Sequence, residues 1–134
     1  MSEGTAPIAF EAARAVYLIG KIDREKYGNL ATDEVVLTPL QKEHIQEKRE
    51  KTYQKYKEQL AEILADPDYI LEDPKHEETV LVFKRFTNFA EIVLRLSTGT
   101  GDKKNSIITL WEIKEARMQR YIFTHKTLYK REYL

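Results

Sequence analysis

Three runs rich in β-formers follow one another in the second half of the chain. They are TVLVFKRF (Thr79–Phe86), AEIVLRLS (Ala90–Ser97) and SIITLWEI (Ser106–Ile113). β-Branched and aromatic residues suit a pleated, half-buried surface. The linker TNF between the first two is far too short for a crossover, so they form an antiparallel hairpin. TGTGDKKN (Thr98–Asn105) is a longer, glycine-containing hairpin loop to the third run. An antiparallel meander is the frame that the remaining residues must cover.

The cover comes from upstream. Thr38 followed by Pro39 is a helix-start signal, a hydroxyl at the N-cap and then a proline where the missing N–H costs nothing. The spacing predicts one helix from there to about Ala65. Ile45, Tyr53, Tyr56, Leu60, Ile63 and Leu64 lie near one apolar stripe, and the first half is polar all round. Pro67 ends the helix in ADPDY. Before it, EVVLT (Glu34–Thr38) reads as a short strand and RAVYLIGKID (Arg14–Asp23) as a strand bent at Gly20, joined by a loop with the turn signal Gly28-Asn29. Residues 1–11 read as a loose arm or docking segment. YILED is a short lead-in to the meander, KEARMQRYIF a short helix after it, and THKTLYKREYL a basic-aromatic tail. The order predicts a single α+β domain over residues 1–134.

Alternation sorts each strand into faces. Ile92, Leu94 and Leu96 share one side, opposite Val93, Arg95 and Ser97; Leu81 and Phe83 oppose Val82, Lys84 and Phe86; Ile108 and Leu110 oppose Ile107, Thr109 and Trp111. With the apolar sets against the long helix, Lys84, Arg95, Thr109 and Trp111 cluster on an open, polar face. Such a face is also the ordinary state of an antiparallel sheet.

Lys plus Arg equals Asp plus Glu, 22 each, which argues against a generic polycation that coats nucleic acid but not against a local patch. The charges are segregated. Glu58–Glu78 holds eight acids against Lys75, Lys114–Arg131 six bases against Glu115, and Lys42–Lys57 six bases against three acids. The basic tail is interleaved with Tyr121, Phe123, Tyr129 and Tyr133, a mixture suited to base stacking and phosphate contact, or to a solvated surface. There is no cysteine, which fits a reducing compartment. No secretory signal pattern or run of membrane-spanning length occurs, so the expected setting is cytoplasmic, without a membrane partner.

Among reaction chemistries, no pair of histidines or histidine–carboxylate cluster has metal-ligand spacing, and no phosphate-cradling glycine loop or nucleophile elbow is present. No metal and no cofactor is expected. RNA cleavage by the substrate's own 2′-OH needs only a group for proton transfer and cations or hydroxyls for the phosphorane charge. His44, Lys84, Arg95 and Thr109 supply those types. Arg49, Trp111, Lys126, Tyr129 and Lys130 supply cations and aromatics for the RNA chain.

The order LIGKID, EVVLTPLQKEHI, YKEQLAEILADPDYIL, VLVFKR, AEIVLRLS, NSIITLWEI and KTLYKRE resembles the phage-type nucleases of the barnase–EndoU–colicin–RelE-like superfamily, found in phages and mobile elements. The match runs from about Val16 to Glu132, and its most specific parts are Leu37–Ile45, Leu64–Asp68 and Leu128–Lys130. The resemblance implies helices packed on a roughly four-stranded antiparallel sheet and a metal-independent RNA endonuclease. His44 matches the family's helix histidine. Lys84 and Thr109 fall at strand positions where a basic residue and a hydroxyl are common. Relatives often carry a second histidine shortly after the first, and Arg49 stands there. Arginine binds phosphate but does not donate a proton at neutral pH. Either His44 or Lys84 then serves both proton transfers, or the chain is a weak or inactive module of the same fold that binds nucleic acid, or a phage or immunity-type protein.

Overall fold

The computed structural model describes residues 35–97 and 105–132. The expected arm, the strand at Arg14–Asp23, the loop after it and most of the TGTGDKKN loop lie outside these residues.

Among these residues ten elements follow in order. They are β1 (Val35–Val36), α1 (Pro39–Lys48), α2 (Glu50–Tyr56), α3 (Leu60–Ala65), β2 (Tyr69–Glu72), β3 (Thr79–Arg85), β4 (Phe89–Arg95), β5 (Asn105–Ile113), α4 (Glu115–Thr124) and β6 (Thr127–Lys130). The fold is α+β, but among the described residues the sheet has six strands, in the order β1-β5-β4-β3-β2-β6, not four. All pairings are antiparallel except β1 on β5. The two extra strands are short: YILE pairs with β3 and so extends the meander, and TLYK pairs with YILE and forms the edge.

The meander is as the β-rich runs predict, within a residue or two at each end. The single long helix is not. It breaks at Arg49 (φ −143°, ψ 57°) and again between Tyr56 and Leu60. The start is as expected, with the Thr38 hydroxyl accepting from the Gln41 N–H at 3.3 Å and Pro39 in the first turn. Only Ile45 of α1 is buried. Tyr53 and Tyr56 anchor α2, and Leu60, Ile63 and Leu64 anchor α3.

The sheet is covered on both faces. On one, α1–α3 pack over Ile70, Val80, Val82, Ala90, Ile92, Leu94, Ile107 and Leu110. On the other, Met118, Tyr121 and Ile122 of α4 pack on Tyr69, Leu71, Leu81, Phe83 and Phe89. The second face is therefore not the open polar face expected from alternation. Its strands carry too much apolar surface to leave in water, and burying each such side chain contributes about 1.5–3 kcal/mol.

Two details of pairing position the candidate site. β1 pairs only with Asn105 and Ser106 at the start of β5. Beyond them the outer edge of β5 has no strand neighbour among the described residues, and α1 and α2 lie against it instead. A bulge between Val93 and Leu94 leaves Ile108 as an extra residue on β5. Ile107 and Leu110 then both reach the α1–α3 core, while Ile108 turns out to the edge.

Candidate active site

A shallow cleft of about 490 Å³ lies where α1 meets the free edge of β5, lined by Leu40, Gln41, His44, Arg49, Ile108 and Thr109. Leu40, Gln41 and His44 share one face of α1, since positions i and i+4 are neighbours on a helix. His44 is exposed. Arg49 reaches the cleft because the helix breaks there. Its backbone N–H still bonds the Ile45 carbonyl at 2.7 Å, but its own φ and ψ are no longer helical.

The break is fixed from both sides. Ile45 pins α1 into the core. On α2, the Tyr56 hydroxyl and the Lys55 ammonium both donate to the Glu112 carboxylate on β5, at 2.8 and 2.5 Å. The Lys55 bond is the main cause that holds Glu112 below the usual carboxylate range. Between these anchors the Arg49 guanidinium lies flat on the Trp111 ring, 3.3 Å from its centroid. Burial draws the Arg49 guanidinium below its ordinary value, and the charge of Glu91 works in the opposite direction. Nε of Arg49 and Oγ1 of Thr109 are buried polar atoms with no hydrogen-bond partner. An unpaired buried group of this kind costs about 1–3 kcal/mol.

Residues 15–130 match the family described as phage-Barnase-EndoU-ColicinE5/D-RelE like nuclease 2. The chain belongs to this nuclease family. Searches of curated proteins and of solved structures yield no match.

The other candidates fall elsewhere in this nuclease-family fold. Lys84 is 9% exposed and shares the α1–α3 face with Val80 and Val82, across from Ala90. Its ammonium donates to the Asp66 carbonyl at 2.8 Å and the Asp66 carboxylate at 3.4 Å, with Glu62 at 3.9 Å. Its place in the expected cluster is corrected by register. Alternation orders the residues of one strand but does not say which face of β3 matches which of β4. Arg95 is exposed at the end of β4, opposite Ser106 and outside the cleft lining. Thr109 and Trp111 do share a face, as expected.

Lys126, Tyr129 and Lys130 lie in and beside β6, at the opposite edge of the sheet from the cleft. Four strand spacings separate β6 from β5, about 19 Å at the usual strand separation. The basic tail is also partly neutralised within the fold. Arg131 donates to the carboxylates of Asp66 and Asp68 and to the carbonyls of Asp66 and Pro67. The Arg131 hydrogen bond is the first cause that holds Asp66 below the usual carboxylate range. The acidic ADPDY segment thus binds the tail.

One residue beside the cleft escaped sequence reasoning. Glu91, on β4, pairs across the strands with Trp111 and is 4% exposed. Burial raises its carboxyl from 4.5 to about 7; Arg117 and Arg49 pull it down, and Asp73 pushes it up. The only sequence signal is one acid between Ala90 and Ile92 in an otherwise apolar run.

Among the described residues no group of three His, Cys, Asp or Glu side chains is placed to hold a metal ion. No helix among them is long and apolar enough to cross a membrane.

Proposed function

We propose that this chain is a metal-independent RNA endonuclease of phage or mobile-element type that cleaves by attack of the substrate's 2′-OH, with His44 as the proton-transfer group. The attacking oxygen loses its proton and bonds the phosphorus. The P–O5′ bond breaks, the 5′-oxygen takes up a proton, and a 2′,3′-cyclic phosphate remains. An imidazole suits either transfer. Arg49 stabilises the charge that builds on the phosphorane oxygens, and Thr109 donates to one of them. Lys84, already committed to Asp66 and Glu62, takes no part.

The observation that carries this reading is the convergence of His44, Arg49 and Thr109 on one cleft, with Arg49 Nε and Thr109 Oγ1 unpartnered there. Membership in a nuclease family supplies the substrate class, a nucleic acid. A labelled oligoribonucleotide incubated in EDTA tests it. The expected products carry a 2′,3′-cyclic phosphate, and a 2′-deoxy sugar at the scissile position blocks cleavage. Salt-sensitive binding without cleavage would instead favour a nucleic-acid-binding module of the same fold.

A further inference from the structure

The proposed reaction leaves one buried charge beside the cleft without a task. Glu91 is the cross-strand neighbour of Trp111, whose ring carries the Arg49 guanidinium, and it lies on the same sheet face as Thr109. Charged groups approach it from three directions: Arg49 from the α1–α2 break, Arg117 from α4, and Asp73 from the turn after β2. Asp73 is itself engaged with His76 at 3.3 Å and with the Lys75 N–H at 2.9 Å. A buried acid whose charge acts on the proposed phosphate-binding guanidinium competes with any phosphate for that guanidinium's field.

We propose that Glu91 is a positioning residue that acts through Arg49, so that a phosphodiester entering the cleft drives proton uptake by Glu91. The inference rests on the cleft being the phosphate site. With Glu91 ionised, part of Arg49's charge is answered from the neighbouring strand. With Glu91 neutral, the guanidinium is answered only by the substrate. Two anions sharing one cation disfavour each other, so the bound phosphate shifts Glu91 toward its protonated form, and protonated Glu91 binds phosphate more tightly. The two effects are equal by linkage. The balance lies in the neutral range because burial opposes ionisation while the two arginines favour it.

Binding of a 2′-O-methyl oligoribonucleotide, which lacks the nucleophile, measures this without cleavage. Affinity is followed by fluorescence anisotropy from pH 6 to 8.5 at fixed ionic strength. A His44→Ala background removes the imidazole of the cleft. If the bound phosphate lifts Glu91 by one pH unit, affinity falls about tenfold across this range. Glu91→Gln in the same background is expected to hold the acid-side affinity at every pH. Calorimetry in buffers of different ionisation enthalpy is expected to detect proton uptake near pH 7 only when Glu91 is present. Glu91→Met is a second neutral replacement, expected to give the same flat profile. An equal pH slope with and without Glu91 overturns the inference while leaving the cleft in place. If Arg49→Ala leaves affinity unchanged at every pH, the cleft is not the phosphate site and both readings fall.

Discussion

Replacing Glu91 by glutamine keeps the shape of the side chain and removes its ionisation. Burial lifts the carboxyl from 4.5 to about 7, and the group is 4% exposed, so solvent screens little of the effect. A raised carboxyl binds its proton more tightly in the folded than in the unfolded chain. Its contribution is therefore fully present below pH 4.5, declines as pH rises, and is lost above about pH 7. Each pH unit between these values is worth about 1.4 kcal/mol, so ionised Glu91 destabilises the fold by about 3 kcal/mol at pH 8.5. Glu91→Gln is expected to match wild type at pH 4.5 and to exceed it by up to about 3 kcal/mol at pH 8.5. For a domain of this size that is a melting-temperature gain of about 10 °C. Urea and thermal unfolding of both proteins at the two pH values measure it. The difference between the proteins isolates Glu91 from every other titrating group. If the two stability curves run parallel from pH 4.5 to 8.5, Glu91 is not a buried, neutral-range acid and the electrostatic picture of the cleft is wrong.

Other perturbations separate scaffold from site. Lys84→Met removes the donor to the Asp66 carbonyl and is expected to cost about 1–3 kcal/mol in urea unfolding while leaving RNA cleavage by the folded protein unchanged. Thr38→Ala deletes the α1 N-cap and is expected to cost about 1 kcal/mol, measured the same way. Trp111→Ala removes the platform under Arg49, a contact of about 1 kcal/mol, and is expected to weaken binding of the 2′-O-methyl oligonucleotide about fivefold, with Trp111→Phe restoring most of it.

Local chemistry made the start of α1 and the three central strands legible. Thr38 and Pro39 act on their own backbone, and the β-rich runs carry their preference within a few residues. The break at Arg49 was not legible, because no proline or glycine causes it. It arises where α1, pinned by Ile45, and α2, tied to Glu112, each follow a different line against β5. TLYK became a strand only by pairing with β2, so its composition read as a tail. For the site, His44, Arg49 and Thr109 could be named from residue type and family resemblance, and they line the same cleft. Lys84 could not be placed, because its face depends on register with Ala90. Glu91 could not be valued, because its charge state depends on how deeply the finished fold buries it.

The cleft between α1 and β5 is proposed to cleave RNA through His44. The most direct test is single-turnover cleavage of an oligoribonucleotide in EDTA, comparing wild type with His44→Ala at equal folded concentration. Wild type is expected to give a 2′,3′-cyclic phosphate product, and the variant a rate at least about 100-fold lower. Cleavage by His44→Ala at the wild-type rate would contradict it.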